Sequence, residues 1–248
     1  MSRTHDFPGF DGVRLVWHEL GQGRPVVLLH GFFSSADRNW FAPGIAAALA
    51  EAGHRVIAPD CRGHGASDAP EDLACWPPDV MAADVEALIA HLGLSDYDLA
   101  GYSMGGRTAA RVMVRGARPR RCVLGGMGDF GIMAAGPRAD AFEDAIRHGE
   151  AAADPVMGKA MRKAMAAQGL KPAAMLGVLA AFAPTTRAEL ATVPTPTLAI
   201  LGDADHDNGS VEALAQIMPA CSPLILPGDH GSVVATNAFR EAMTAFLA

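Results

Sequence analysis

Residues 98–106, which read D-L-A-G-Y-S-M-G-G, decide the fold of this chain. An apolar run ends in Ser103, which stands between Gly101 and Gly105, and the small-residue stretch 108–114 that follows is typical of a helix. Because a sharp turn from strand to helix leaves no room for a Cβ beside the serine, both flanking positions require glycine. The pattern predicts an exposed Ser103 hydroxyl at the N-terminus of a helix, although alone it also fits a plain Gly/Ser-rich turn.

The length and composition favour a well-packed globular protein. The chain has 248 residues, enough for one large domain or two small ones, of which 50% are hydrophobic and 19% charged. Its net charge of −7 provides no basic stripe, so we expect no nucleic-acid partner. The longest apolar runs, such as 24–29, have the length of a strand, so we expect no membrane span.

The N-terminus and the cysteines favour a cytoplasmic location. Residues 1–6 are polar and lead into no hydrophobic segment, so we expect no secretory signal. The four cysteines are scattered and form no Cys-x-x-Cys pair, which indicates neither a zinc site nor a redox motif. A reducing, cytoplasmic compartment is therefore expected.

Segments typical of strands and helices alternate along most of the chain. A continuous β-branched and leucine run, typical of a strand buried on both faces, occupies residues 26–30, and further strands are predicted at 54–58, 97–101, 121–125, 197–201 and 222–226. Apolar residues at helical spacing lie between them, at 45–52, 79–92, 210–218 and 237–247. This alternation predicts an α/β fold with a mostly parallel central sheet flanked by helices. A further strand, entered by an Asp-Gly turn, is predicted within 10–19.

The alternation stops over residues 129–189, where only helical stretches rich in Ala and Met are found. A helical insertion late in such a sheet predicts a cap over the active-site edge. The alternative is that these helices pack on the sheet as ordinary core. We therefore predict a core domain formed by residues 1–128 and 190–248, with a helical cap formed by residues 129–189.

Residues just beyond the predicted strands are the candidates for chemistry, because sheets of this kind hold ligands at the carboxyl ends of their strands. Ser103 follows one strand, the acid cluster Asp203, Asp205 and Asp207 follows another, and His230 follows a third. Nucleophilic catalysis needs these parts: a weak hydroxyl, a base that takes its proton, and a carboxylate that orients the base.

Five motifs, taken in order, resemble the α/β-hydrolase fold superfamily over essentially the whole chain. They are L-L-H-G-F at 28–32, D-x-R-G-x-G-x-S at 60–67, G-Y-S-M-G-G at 101–106, G-x-x-D at 202–205 and G-D-H at 228–230. The order serine, acid, histidine is the one that this family uses. The resemblance is closest to the capped serine esterase and haloperoxidase-like branch.

The resemblance implies a role for each matching residue. Ser103 would be the nucleophile and His230 the base that activates first the serine and later water. The family's acid position falls on Asp205, and Asp203 and Asp207 are near enough to remain alternatives.

The resemblance also implies an oxyanion hole formed by the backbone N–H groups of Phe32 and Met104. His30 is expected to hold the Phe32 loop by hydrogen bonds, and His64 is expected to be structural. The acid cluster also resembles a calcium loop, but its sixth position is Asn208 and its twelfth is Leu214, so we expect no metal there.

The predicted cap should determine specificity. Candidates for substrate contact are bulky apolar residues in the predicted cap and near the elbow, the sharp strand-to-helix turn at Ser103. They are Phe33, Trp40, Tyr102, Phe130 and Met133. Methionine-rich helices suit a permissive apolar pocket, although each of these side chains could simply pack the cap on the sheet. Arg138 is interpreted as part of a solvated helix face, so no arrangement demands an anionic substrate. Arg107 is interpreted as pointing along its helix, with the alternative, implied by the resemblance to carbon–carbon bond hydrolases, that it binds a dienoate carboxylate.

The sequence therefore predicts a hydrolase that cleaves a small, mostly apolar carboxylic ester through an acyl-enzyme on Ser103. The resemblance implies that relatives with other elbow chemistry, the haloalkane dehalogenases and epoxide hydrolases, use aspartate where this chain has serine. Carbon–carbon bond hydrolysis, lactone or thioester cleavage and perhydrolysis use the same triad and stay open. A remote alternative is a ligand receptor of the same fold without turnover. No cofactor is implied, the expected partner is a small-molecule ester, and the sequence predicts no oligomeric state.

Overall fold

The buried apolar runs form one eight-stranded sheet. The computed structural model of the chain describes residues 2–134 and 136–248. Its strands are β1 (Arg3–Pro8), β2 (Arg14–Gly21), β3 (Arg24–Leu29), β4 (His54–Asp60), β5 (Asp98–Tyr102), β6 (Cys122–Gly125), β7 (Thr197–Gly202) and β8 (Cys221–Leu226). They lie in the order β1-β2-β4-β3-β5-β6-β7-β8, and every pairing from β4 to β8 is parallel. The predicted α/β class with a mostly parallel sheet is confirmed.

The first hairpin differs in detail from the prediction. β2 begins at Arg14 rather than at residue 10, and it pairs antiparallel with both β1 and β4. The sequence did not predict β1, because this edge strand begins with four polar residues, Arg3 to Asp6, and only Phe7 of its six residues is buried.

Helices cover both faces of the sheet. On one face lie α2 (Val80–His91), α3 (Met104–Val114) and α9 (Val211–Ala215), and on the other lie α1 (Ile45–Glu51) and α10 (Asn237–Leu247). The side-chain alternation of β3 shows how both cores are filled. Val27 and Leu29 pack on the α2 and α3 side, whereas Val26 and Leu28 pack on the α1 and α10 side.

The described residues of the connection between β6 and β7 form helices and loops but no strand. It contains α4 (Asp129–Met133), α5 (Gly136–His148), α6 (Pro155–Gln168), α7 (Pro172–Ala180) and α8 (Arg187–Leu190). Side chains of α5, α6 and α7 form a separate apolar cluster with Trp76 and Val80. Ile132 of α4 and Leu190 of α8 instead join the α2 and α3 core. The helices that stand apart from the sheet are therefore α5 to α7.

Over the described residues, no helix combines the length and the apolar character that a bilayer crossing requires.

Candidate active site

The turn between β5 and α3 holds Ser103 in a conformation that few residues adopt. Its φ of 55° and ψ of −116° lie outside the regions favoured by L-residues. The flanking glycines allow this turn: a Cβ at Gly101 would lie 2.1 Å from the Gly105 carbonyl oxygen, and one at Gly105 would lie 2.0 Å from that of Leu29. Any side chain at these positions would push strand and helix apart, as the sequence pattern predicts.

Ser103, His230 and Asp205 form one hydrogen-bonded chain across three loops. The Ser103 Oγ lies 2.9 Å from His230 Nε2, and His230 Nδ1 lies 2.7 Å from Asp205 Oδ2. Of the three candidate acids, Asp205 is the one that contacts His230. Asp203 instead accepts the Gly228 N–H at 2.9 Å, and Asp207 is exposed.

The surroundings of Asp205 keep its carboxylate ionised. Burial alone would raise its pKa, but hydrogen bonds from His230 and Asn208 outweigh burial and lower it below the ordinary value. The Asn208 amide donates to Asp205 Oδ1 at 2.7 Å. The carboxylate is therefore fixed on both oxygens, and its negative charge favours the imidazolium that forms when His230 takes a proton.

Two backbone N–H groups close to Ser103, those of Phe32 and Met104, have no acceptor among the described residues. The loop that carries Phe32 approaches the nucleophile closely, since a Cβ at Gly31 would lie 3.4 Å from the Ser103 Cβ. Asn39 holds this loop from behind, because its Oδ1 accepts the Gly31 N–H at 2.9 Å. Donors fixed in this way can stabilise an oxyanion without reorganising.

His30 is buried beneath the same loop. Its Nε2 accepts the Cys61 N–H at 2.9 Å, so Nδ1 carries the proton and donates to the Gly31 carbonyl at 2.8 Å. Burial lowers the pKa of His30, and burial together with His30 lowers the pKa of neighbouring His64 to about 3. Both rings are therefore neutral and hold the loop in place.

A cavity of about 130 Å³ opens over Ser103. Its wall includes residues of α2 and α3 and residues of α5 and α7. The apolar part of the wall consists of Phe32, Met81, Met127, Phe142, Leu179 and Phe182. The methionines of α6 and α7, including Met161, Met165 and Met175, pack instead inside the apolar cluster that α5, α6 and α7 form.

None of the five side chains predicted to contact substrate lines this cavity, and the physical reason differs among them. Trp40 is fully buried among core residues of the α1 and α10 face, because the turn 37–41 directs Asn39, not Trp40, toward the active-site loop. Tyr102 precedes Ser103 on the strand and so points away from it, against Phe239. Its hydroxyl donates to the His230 carbonyl, and burial raises its pKa, so it stays a donor.

The other three corrections concern the loop and the start of the cap. The Phe33 ring packs against the Phe32 ring, with centroids 4.4 Å apart and planes tilted by 51°. Phe130 is 45% exposed, and Met133 packs against the α2 and α3 core. For these residues the sequence indicated bulk near the elbow but not the side on which each would lie.

Three arginines line the cavity, Arg107, Arg111 and Arg138, and for Arg107 and Arg138 this is contrary to the sequence interpretation. Arg107 lies one turn along α3 from Ser103, and Arg138 lies near the start of α5. Burial and the nearby charge of Arg138 lower the pKa of Arg107 to about 10, so it remains charged at neutral pH. The spacing of four residues between Ser103 and Arg107 was the sequence signal that could have placed Arg107 beside the nucleophile.

The supporting roles of Asn39 and Asn208 were not predicted from the sequence. Asn39 lies in none of the five motifs, Asn208 stood out only as a mismatch to a calcium loop, and both act through hydrogen bonds to residues placed by tertiary structure. Across residues 2–134 and 136–248, no group of three or more His, Cys, Asp or Glu side chains is arranged to hold a metal ion.

Comparisons with known proteins agree with this architecture. The family model described as alpha/beta hydrolase fold matches residues 24–122. A non-heme haloperoxidase of Rhodococcus erythropolis is 39% identical over 108 residues, which cover 42% of this chain and 36% of the haloperoxidase. The match therefore spans about a third of that relative's length.

Two solved structures align with nearly the whole chain. A bromoperoxidase from Bacillus anthracis is 27% identical, with a TM-score of 0.73 and 99% of each chain covered. An esterase from Exiguobacterium antarcticum shares the fold at 20% identity, with a TM-score of 0.80 and 98% of each chain covered. By its motifs, its family match and its sheet topology, this chain has the α/β-hydrolase fold and is similar to haloperoxidases of that fold.

Proposed function

We propose that this chain is a serine hydrolase that cleaves small carboxylic esters through an acyl-enzyme on Ser103. The observation that carries the proposal is the hydrogen-bonded chain from Ser103 through His230 to Asp205, built on a strained elbow. Serine at the elbow supports an acyl-enzyme, and the apolar wall of Phe142, Leu179 and Phe182 suits the carbon skeleton of a small ester.

In the first half of the proposed reaction, Ser103 Oγ attacks the ester carbonyl while His230 Nε2 takes its proton. The carbonyl oxygen becomes an oxyanion beside the Phe32 and Met104 N–H groups. The tetrahedral intermediate collapses, the ester C–O bond breaks, and His230 returns the proton to the departing alcohol.

In the second half, His230 takes a proton from water, and the hydroxide attacks the acyl carbon. Collapse of the second intermediate breaks the bond to Ser103 Oγ, which regains its proton from His230. The products are an acid and an alcohol. Lactone, thioester and carbon–carbon bond cleavage and perhydrolysis would use the same groups, so substrate preference separates them.

The test is hydrolysis of a p-nitrophenyl ester series, from acetate to octanoate, by the wild type and by Ser103→Ala. We expect steady turnover by the wild type and loss of turnover in the variant, with a chain-length optimum that reports the cavity size. A wild type that accelerates no member of the ester series, or a Ser103→Ala variant with full activity, would contradict the proposal.

A further inference from the structure

Arg107 presents an unused guanidinium edge to the cavity beside the nucleophile. Its Nε donates to the Gly131 carbonyl at 2.8 Å and its Nη2 to the Ala134 carbonyl at 3.3 Å. The Phe182 ring covers one face of the guanidinium, 4.4 Å from its carbon. In the described part of the chain, Nη1 has no acceptor, and no carboxylate lies within 4.0 Å of any Arg107 nitrogen. Nη1 and the second hydrogen of Nη2 therefore remain free as donors, and both lie on the Nη1–Nη2 edge.

The cavity wall holds no free acid that could neutralise this cation. The one carboxylate in the wall is Asp79, which already forms a two-pronged pair with Arg111. Arg138 adds a second cation, which lies over the Phe142 ring and 3.5 Å from the Asn208 amide oxygen. No salt bridge to Arg138 exists among the described residues.

Such an arrangement is unfavourable unless something else compensates it. Arg107 and Arg138 are partly buried, a partly desolvated charge without a counter-ion lowers stability, and two like charges beside one cavity repel each other. The chain as a whole has a net charge of −7, so the two unneutralised arginines form a local exception. An anionic ligand group would neutralise them and would use the free donors of Arg107.

The geometry favours a carboxylate on a short chain. The Nη1–Nη2 edge of a guanidinium can donate in parallel to two carboxylate oxygens. Ser103 directly precedes α3, the Arg107 N–H donates to the Ser103 carbonyl at 3.0 Å, and both side chains line the same cavity. An acid group a few bonds from the scissile carbonyl would therefore reach Arg107 while that carbonyl is at Ser103.

We propose that the substrate of this site carries a carboxylate, which Arg107 binds with the support of Arg138, so that the enzyme prefers half-esters of short dicarboxylic acids to neutral esters. The inference rests on the proposed function and deepens it. It also changes the expectation of a mostly apolar substrate: the skeleton is apolar, but one end is charged.

Matched ester pairs test the proposal. Mono-p-nitrophenyl adipate and p-nitrophenyl hexanoate have the same acyl length and differ by the terminal carboxylate. We expect wild-type kcat/KM to favour the adipate, and Arg107→Gln to lower kcat/KM about 10- to 100-fold on the adipate but less than threefold on the hexanoate. Arg107→Lys, which retains the charge, should recover part of the loss.

Two further variants complete the design. Arg138→Gln should weaken adipate turnover about three- to tenfold, and this half-exposed cap residue provides the answer if Arg107 variants do not fold. Arg240→Gln is the matched control, because its guanidinium is bonded only to Asn237 on the far helix α10. Equal losses on both esters, or a wild type without preference for the adipate, would overturn the carboxylate assignment.

A binding experiment separates failure of this inference from failure of the proposed function. Calorimetry with Ser103→Ala should detect adipate, and Ser103→Ala combined with Arg107→Gln should bind it at least tenfold more weakly. Arg107-dependent adipate binding without any ester turnover would refute the hydrolase proposal but support the carboxylate site. Ester turnover without Arg107-dependent adipate binding would support the hydrolase proposal but refute the carboxylate site. Tighter binding of inorganic phosphate than of adipate would also overturn the assignment to a carboxylate.

Discussion

Asn39 should control the oxyanion loop although it does not touch the substrate. Its Oδ1 is the acceptor for the buried Gly31 N–H, and its side chain is itself buried at 6% exposure. Asn39→Ala leaves that N–H without a partner, which costs about 1–3 kcal/mol of unfolding free energy. Because Phe32 follows Gly31 directly, the same change should also loosen one oxyanion donor.

The catalytic effect should be smaller than loss of the donor itself. Removing an oxyanion donor costs about 10²- to 10³-fold in kcat, whereas a displaced donor keeps part of its effect. We expect kcat to fall about 5- to 50-fold, with KM for a p-nitrophenyl ester nearly unchanged, because the oxyanion forms only in the transition state.

Urea denaturation and steady-state kinetics measure the two effects on the same preparations. Arg38→Ala is the matched control, since Arg38 lies on the same helical turn but is exposed. This control should change the unfolding free energy by less than about 0.5 kcal/mol and leave kcat unchanged. An Asn39→Ala variant as stable and as fast as this control would refute the reasoning about the loop.

Three further predictions follow from the corrected positions of Tyr102 and Trp40 and from the pKa of Asp205. Tyr102→Phe removes the hydrogen bond to the His230 carbonyl, so kcat should fall about fivefold with KM unchanged, whereas a raised KM would indicate substrate contact. Trp40→Phe should lower the unfolding free energy by about 1–3 kcal/mol in urea titrations and leave KM unchanged, because the Trp40 side chain is fully buried in the core. A changed KM would contradict this buried position. For Asp205→Asn, esterase assays should show loss of most activity. Folding lowers the pKa of Asp205, so its stabilising contribution should be present above its ordinary pKa of 3.8 and disappear as the pH falls through its native pKa. Urea titrations of wild type and variant at pH 3 to 7 measure the difference in their unfolding free energies. A difference that grows toward acid pH would contradict the lowered pKa.

The sequence predicted best the features that depend on local sterics and on periodicity. The glycines around Ser103 are required by contacts below 2.2 Å within the turn and its neighbouring strand, so the motif alone indicates the elbow. The run 26–29 is apolar at every position because both sheet faces are covered, which is why the parallel sheet was predictable.

The side on which a residue lies proved harder to predict than its proximity to the elbow. Trp40 and Tyr102 are adjacent in sequence to residues of the site, but turn geometry and strand alternation direct their side chains into the core. Arg107 shows the opposite case. Its helical spacing from Ser103 was visible, yet the lack of a nearby acid becomes evident only when the cap residues Gly131, Ala134 and Phe182 are placed around it.

The most direct test of the central claim is covalent labelling of the nucleophile. Intact-mass and peptide mass spectrometry after reaction with a serine-reactive fluorophosphonate should reveal one adduct, on Ser103, in the wild type and none in Ser103→Ala. His230→Ala should react far more slowly, because the base that activates the hydroxyl is gone. A wild type that forms no adduct, or an adduct on another serine, would contradict the account of Ser103 as an activated nucleophile.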